Sequence, residues 1–216
     1  RSKIMMGILP TGAIPTAPNQ RLSSIFWSLP TSQLEHFLQN SQARSDWLNE
    51  VAKRWKPAAD WFEQVIAQPE EKQQWLSANY RDVVMSKFGE RRIGVIGDAA
   101  HAMSPQLGQG ANMALLDAWA LGQAVQNARK NEDIDYVQLW QTYHQHRKSS
   151  TAFYQFLSRL LTPLYQSDLW WAGGLRDLSF SWMYRIPYFR KEMAVTVSGL
   201  KSGMFSQMRY EDIAKK

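Results

Sequence analysis

The stretch RRIGVIGDAAHAMSPQLGQGANMALLDAWALGQAV, Arg91 to Val125, constrains the fold of this 216-residue chain more than any other. It opens with the apolar run Ile93-Gly94-Val95-Ile96, bounded by charge before and Gly97-Asp98 after, which predicts a short strand buried on both faces. A polar interval with Pro105 and the glycines Gly108 and Gly110 follows. A helix then starts, with Ala111, Ala114, Leu115, Ala118, Leu121, Gly122 and Val125 at i, i+3, i+4 spacing on one face. A carboxylate at a strand's C-terminal end, a Gly-rich turn and a helix N-terminus form the arrangement in which open α/β sheets bind ligands.

The preceding text reads as strands followed by helices. Residues 3–9 and 21–29 (KIMMGIL and RLSSIFWSL) are rich in β-branched and aromatic residues, and TGAIPTAPNQ between them predicts a loop or hairpin connection. Pro30 and Thr31-Ser32 end the second strand and begin helical texture. Leu34, Phe37 and Leu38 share one face, and Trp47, Leu48, Val51 and Trp55 share another, with Ser45 as a candidate N-cap. Pro57 suits the first turn of a helix carrying Trp61, Phe62, Val65 and Ile66, and a last short helix is expected around Trp75 and Leu76. Trp47, Trp55, Trp61 and Trp75 could line an aromatic pocket, but tryptophans at helical spacing belong more often to a core.

Around and beyond the central stretch, residues 80–86 (YRDVVMS) predict a strand, and Phe88-Gly89-Glu90-Arg91 a tight turn. Asn127 to Asp135 predicts a loop, with Asp133 or Asp135 capping a long helix through Val137, Trp140, His144, Phe153, Leu157, Leu160 and Leu161. Pro163 is expected to interrupt it. The remainder predicts helical pieces divided at Gly173-Gly174 and at Pro187. His144 and His146, two apart on a helix, fall on different faces and do not suggest a metal site. Neither a G-x-S-x-G elbow nor a Walker sequence occurs, which argues against serine hydrolase and P-loop chemistry.

Charge separates the tail from the rest. Residues 1–146 carry 14 Lys/Arg and 14 Asp/Glu, whereas residues 147–216 carry 11 and 5, so the whole net charge of +6 lies in the last third. That third also holds Trp170, Trp171, Trp182, Tyr184, Tyr188 and Phe189. Basic plus aromatic suggests peripheral membrane contact through 147–216; the ordinary alternative is a solvated basic face over an aromatic core. No nucleic-acid partner is expected. No apolar run approaches the about 20 residues of a membrane span, and the lack of cysteine fits a reducing compartment such as the cytoplasm.

Within the central stretch, Asp98 can accept hydrogen bonds from ligand hydroxyls, or serve as a local cap for the N–H groups of Ala100 and His101. Gly108 and Gly110 let a flat or anionic ligand reach the backbone, where a helix N-terminus offers donors and a positive dipole end. Gly97-Asp98-Ala99-Ala100-His101, then Pro105, Gly108-x-Gly110-x-Asn112 and Asp117-Ala118, resembles the second flavin signature of FAD-dependent aromatic-ring hydroxylases of the para-hydroxybenzoate hydroxylase type. The ILPTG and FWSLP segments are similar to that family's substrate-domain sheet, so the resemblance spans roughly residues 1–160.

The resemblance implies FAD as cofactor, with NAD(P)H as electron donor and dioxygen as oxidant, and hydroxylation of an aromatic or other electron-rich small molecule. It implies that Asp98, following Gly97, hydrogen-bonds the ribityl chain. Backbone groups of Leu107, Gly108, Gln109, Gly110, Ala111 and Asn112 would meet the pyrimidine edge of the flavin, where a helix N-terminus stabilises the negative charge of the reduced ring. Pro105 would lie near the reacting face. His101 and Asp117 are expected to orient the turn and hold the helix start. No catalytic base is identified, and no metal is expected.

The same family carries an N-terminal G-x-G-x-x-G turn for the FAD pyrophosphate, with an acidic residue about 20 positions later. Neither occurs here, and Gly108-Gln109-Gly110-Ala111-Asn112-Met113 fails at the third glycine. The chain is therefore expected to be the C-terminal part of a longer FAD/NAD(P)-binding monooxygenase fold, unable by itself to hold FAD tightly or turn over. The strand at 92–96 is expected to lack a neighbour, and the helix after Gly110 to expose apolar surface of a kind that also favours homodimers. The expected fold class is α/β (mixed α+β). Residues 1–79 are expected to form part of a substrate-binding domain, 80–130 the C-terminal part of the FAD-binding domain, and 131–216 a helical region. A related FAD-dependent reductase or halogenase, or a non-catalytic assembly or membrane-contact module, stays open as an alternative.

Overall fold

The computed structural model describes residues 5–67, 75–78, 80–165, 171–209 and 211. Lys3 and Ile4 of the expected first strand, and Trp170, lie outside them. The chain is mixed α/β, and every sheet among the described residues has two strands. It divides into two compact units, Arg1–Ala78 and Asn79–Lys216.

In the first unit, β1 (Met6–Ile14) and β2 (Ala17–Trp27) form an antiparallel hairpin. Most of the expected loop is therefore strand, and only Pro15-Thr16 turns. Prolines survive here because a two-stranded ribbon leaves each strand an unpaired edge. The irregular pairing between Pro10 and Gly12 is absorbed at Gly12, whose φ of +83° suits glycine. Met6, Ile8, Ile25 and Trp27 alternate onto the face that meets Val51, Ala58, Ala59 and Phe62.

Three helices supply that core: α1 (Thr31–Gln39), α2 (Ser41–Arg54) and α3 (Lys56–Ile66). Asn40, not Ser45, caps α2, its Oδ1 accepting the Gln42 and Ala43 N–H groups at 2.9 and 3.2 Å. Ser45 lies inside the helix and donates to the Ser41 carbonyl. Asn40 wins because its backbone is extended between two helices, as an N-cap requires. No helix forms at 75–78; Trp75 instead packs edge-on to Trp27 and Phe37 at 5.5 and 5.6 Å. Trp47 joins the same cluster against Trp27 and Phe62. Trp55 and Trp61 face solvent, so the expected core role holds for two of the four tryptophans.

The second unit starts irregularly. Residues 80–86 form no strand: Val83 donates to the Ala102 carbonyl and accepts from the Gln155 side chain, without a ladder. The hairpin of β3 (Gly89–Glu90) and β4 (Ile93–Gly94) turns at Arg91-Arg92, two residues later than expected, with Arg91 at φ +53°. The Trp140 indole lies across both glycines, so a Cβ on Gly89 or Gly94 would run into it, and its Nε1 donates to the Arg91 carbonyl at 3.0 Å. The expected burial of residues 93–96 on both faces is not found. Ile93 is 78% exposed and Ile96 40%, because β4 pairs only with β3, and Val95 alone packs inward.

Helix α4 (Asp98–His101), a 3-10 turn (Pro105–Leu107) and α5 (Gly110–Ala128) follow. The buried stripe of α5 is Met113, Asp117, Ala120, Ala124 and Ala128, not the face starting at Ala111. Ala111, Ala114, Leu115, Ala118 and Gly122 are exposed, Leu115 by 70%. The helix is apolar on two sides, and the buried side carries Asp117, which disguises it in a hydropathy pattern.

A small hairpin, β5 (Arg129–Lys130) and β6 (Asp133–Ile134), occupies the expected loop. Asp135 then caps α6 (Tyr136–Tyr165), accepting from the Val137 and Gln138 N–H groups at 3.1 Å. The helix runs through Pro163, which sits in its last turn, where few backbone bonds remain to be lost. Leu139, Tyr143 and Phe88 complete the core formed with α5. Last come α7 (Ala172–Arg185), which contains Gly173-Gly174 in its first turn instead of breaking there, and α8 (Pro187–Val197), which starts at the expected proline.

Candidate functional site

The turn from Gly97 to Asn112 brings the expected ligand-facing residues onto one continuous segment between β4 and α5. Gly97 adopts φ 62° and ψ −145°, a region essentially reserved for glycine. Its carbonyl accepts the Ala100 and His101 N–H groups at 2.9 and 3.0 Å. That removes the alternative in which Asp98 caps them. The Asp98 side chain makes no hydrogen bond among the described residues and is exposed.

Pro105 opens the 3-10 turn, which closes through Gly108 N–H to the Pro105 carbonyl at 2.9 Å, and Gly108 takes the left-handed conformation at φ 60°. A Cβ at Gly97, Gly108 or Gly110 would meet nothing within 4 Å. The glycines are therefore not demanded by internal packing; two answer to backbone conformation, and all three leave the backbone open to a flat partner. No side chain caps the N-terminus of α5. The first-turn amides of Gly110, Ala111 and Asn112 have no intrahelical acceptor, as at any helix start.

Gln109 differs from its neighbours. It is buried, donating through Nε2 to the Val197 carbonyl at 2.8 Å and the Leu107 carbonyl at 3.2 Å, and accepting from Asn112 Nδ2 at 3.1 Å. Its side chain ties the turn to the end of α8, leaving only its backbone for a ligand. Asn112 is half-buried beside Gly199, where a Cβ would press on its amide. Leu107 is half-buried, and Ala111 and Pro105 are exposed.

Beneath the turn lies a buried ionic cluster. Asp117, fully buried on α5, accepts the Gly97 N–H at 2.6 Å and His101 Nε2 at 2.7 Å through Oδ2, and Arg147 Nε at 2.6 Å through Oδ1. A carboxylate can only accept, so Nε2 of His101 carries the proton. Burial pushes the Asp117 carboxyl up, but the hydrogen bonds from His101, Arg147 and Gly97 outweigh it and hold the group at about 2. Asp117 thus fixes both ends of α4 to α5, consistent with the roles expected of it and His101. Burial and the Asp117 charge push the Tyr143 hydroxyl well above its ordinary range.

Arg147 is the residue the sequence reading did not single out. Buried on α6, it also donates to the Met113 carbonyl at 3.3 Å. Its signal was present: Tyr143, Arg147 and Thr151 recur at i, i+4, i+8 on one buried face of a long helix. Among the described residues no group of three or more His, Cys, Asp or Glu could hold a metal.

Residues 19–153 match the FAD binding domain family. The chain belongs to this family. The matched span contains the whole Gly97–Asn112 turn together with Asp117 and Arg147, and FAD is the cofactor of the family. The family is one of FAD-dependent monooxygenases. Among curated proteins, the chain is similar to a chloroplastic zeaxanthin epoxidase of an Oncidium hybrid cultivar, 29% identical over 115 residues, covering 50% of this chain and 17% of that protein. The zeaxanthin epoxidase of Solanum lycopersicum is 31% identical over 107 residues, covering 47% and 16%. The chain thus spans about a sixth of the length of these relatives. No solved structure gives a significant match.

Proposed function

We propose that this chain contributes the ribityl- and flavin-facing part of the FAD site in a flavoprotein monooxygenase that oxygenates an electron-rich, hydrophobic small molecule, an aromatic ring being one such substrate. The observation that carries the reading is Asp98: an exposed carboxylate without a hydrogen-bond partner among the described residues, at the head of a turn whose glycines leave the backbone open. A carboxylate so placed can accept two hydroxyls of a ribityl chain. The open faces at Gly108 and Gly110 admit a planar ring to the amides of Gly110, Ala111 and Asn112, and the start of α5 favours negative charge there. Pro105, exposed and rigid, would border the ring.

Bound FAD supplies the redox chemistry, taking electrons from NAD(P)H and activating dioxygen. The protein's own part is positioning. Asp117, anchored by Arg147 and His101, holds the Gly97 amide and so aims Asp98, while Gln109 fixes the loop from the other side. The relatives named as zeaxanthin epoxidases favour a substrate with an electron-rich double bond as readily as a phenol.

The test is NADPH or NADH oxidation by the FAD-loaded polypeptide containing this chain, with candidate phenols and polyenes, followed by mass analysis of the product under isotopically labelled dioxygen. Substrate-stimulated oxidation with one labelled oxygen atom in the product supports a monooxygenase. Electron transfer to substrate without incorporation of oxygen supports a reductase instead, and a halide-dependent product a halogenase. Absence of flavin absorbance altogether contradicts the cofactor reading.

A further inference from the structure

The tail departs in part from the expected aromatic core beneath a basic face: Tyr154 is buried and Phe189 half-buried, but Trp171, Trp182, Tyr184 and Tyr188 are exposed. From the N-cap of α7 along the helix, Trp171, Leu175, Leu178 and Trp182 recur at i, i+4, i+7, i+11 and are exposed by 45%, 50%, 72% and 57%. Helical periodicity places them on one stripe, with Arg185 continuing it. Ala172, Arg176, Ser179, Phe180 and Met183 are buried or half-buried on the other side, and α7 packs on α6. The helix therefore turns its most apolar stripe to solvent, the reverse of a core-facing helix.

Cations cluster where this stripe ends. Arg185, Arg190 and Lys191 are exposed and form no ion pair among the described residues. The two acidic residues of α7 and α8 are both engaged, Asp177 by Arg176 and Glu192 by Lys201. Among the described residues of α7 and α8, unpaired charge at the corner is wholly positive, and Tyr184 and Tyr188, exposed by 62% and 64%, stand among it.

We propose that the α7 stripe and the α7–α8 corner dock this chain onto an anionic lipid bilayer, with α7 lying in the interface. Trp and Tyr settle where an apolar layer meets water, Leu175 and Leu178 enter the acyl boundary, and Arg185, Arg190 and Lys191 meet phosphate groups. Charge favours this occupant over a second copy of the chain, which would bring the same three cations face to face. No helix among the described residues is long and apolar enough to cross a membrane, so the mode is peripheral.

The experiment is co-sedimentation of the full 216-residue chain with phosphatidylcholine vesicles, with and without phosphatidylglycerol, at low and high salt. Binding is expected only with the anionic lipid and should fall as salt rises. Arg185→Glu/Arg190→Glu/Lys191→Glu should weaken it roughly a hundredfold, and Leu178→Ser/Trp182→Ser by about tenfold or more. All five positions are exposed, and unchanged thermal unfolding of the variants excludes misfolding as the cause. The proposal is overturned if wild-type chain stays unbound, if its binding ignores salt, or if both variants bind like wild type. A homodimer that Leu178→Ser/Trp182→Ser dissociates, without vesicle affinity in wild type, would assign the stripe to a second copy instead.

Discussion

Arg147 Nε lies 2.6 Å from Asp117 Oδ1, with both side chains sealed from solvent and thirty positions apart in the chain. This pair joins α6 to α5, and through the Gly97 amide it joins both to the turn proposed to face the cofactor. Removing the cation leaves a buried carboxylate with only His101 and the Gly97 amide. Arg147→Met should cost about 3–5 kcal/mol, read as a lowered urea midpoint.

The same carboxylate gives the fold an acid limit. Asp117 is held at about 2 in the folded chain against an ordinary 3.8. A lowered folded pKa means the native state prefers the ionised group, so its contribution is complete above the unfolded pKa and disappears as pH falls through the folded one. That contribution is about 2 kcal/mol, lost between roughly pH 4 and pH 2. Urea midpoints measured across this window should fall for wild type, and Asp117→Asn should remove that part of the slope.

Gly97 and Gly108 answer to conformation, since space for a Cβ exists at both. Gly97→Ala should destabilise by about 1–3 kcal/mol through backbone strain alone, seen as a lower melting temperature. It should also weaken FAD binding, because the added methyl stands on the open face. Gly94→Ala acts differently, by collision with the Trp140 indole. It should cost about 1–3 kcal/mol, and a double-mutant cycle with Trp140→Ala should recover most of that loss.

Local chemistry made much of this legible in the sequence. The glycines at positive φ, the capping Asp135 and the helix start at Pro187 each act on the backbone beside them, so residue type and spacing suffice. What depended on partners was legible only in part. Ile93–Ile96 reads as a strand buried on both faces because it is apolar, which fails; the expectation that it lacks a neighbour holds, since among the described residues β4 pairs with β3 alone. The two-sided apolarity of α5 left its packed face ambiguous, because Asp117 makes that face look polar until Arg147 and His101 are seen against it. Ser45 lost the cap of α2 to Asn40 through backbone geometry that no propensity records. The exposed stripe of α7 was hidden for a similar reason: an apolar pattern says nothing of whether a partner covers it.

Loss of the Asp98 carboxylate tests the central claim most directly. FAD affinity of the polypeptide containing this chain, measured by flavin fluorescence, should fall roughly tenfold to a hundredfold in Asp98→Ala, the range expected for a hydrogen bond to a charged acceptor. The melting temperature without FAD should not change, because Asp98 has no hydrogen-bond partner among the described residues. Unchanged affinity in Asp98→Ala would contradict the assignment of this turn to the ribityl chain.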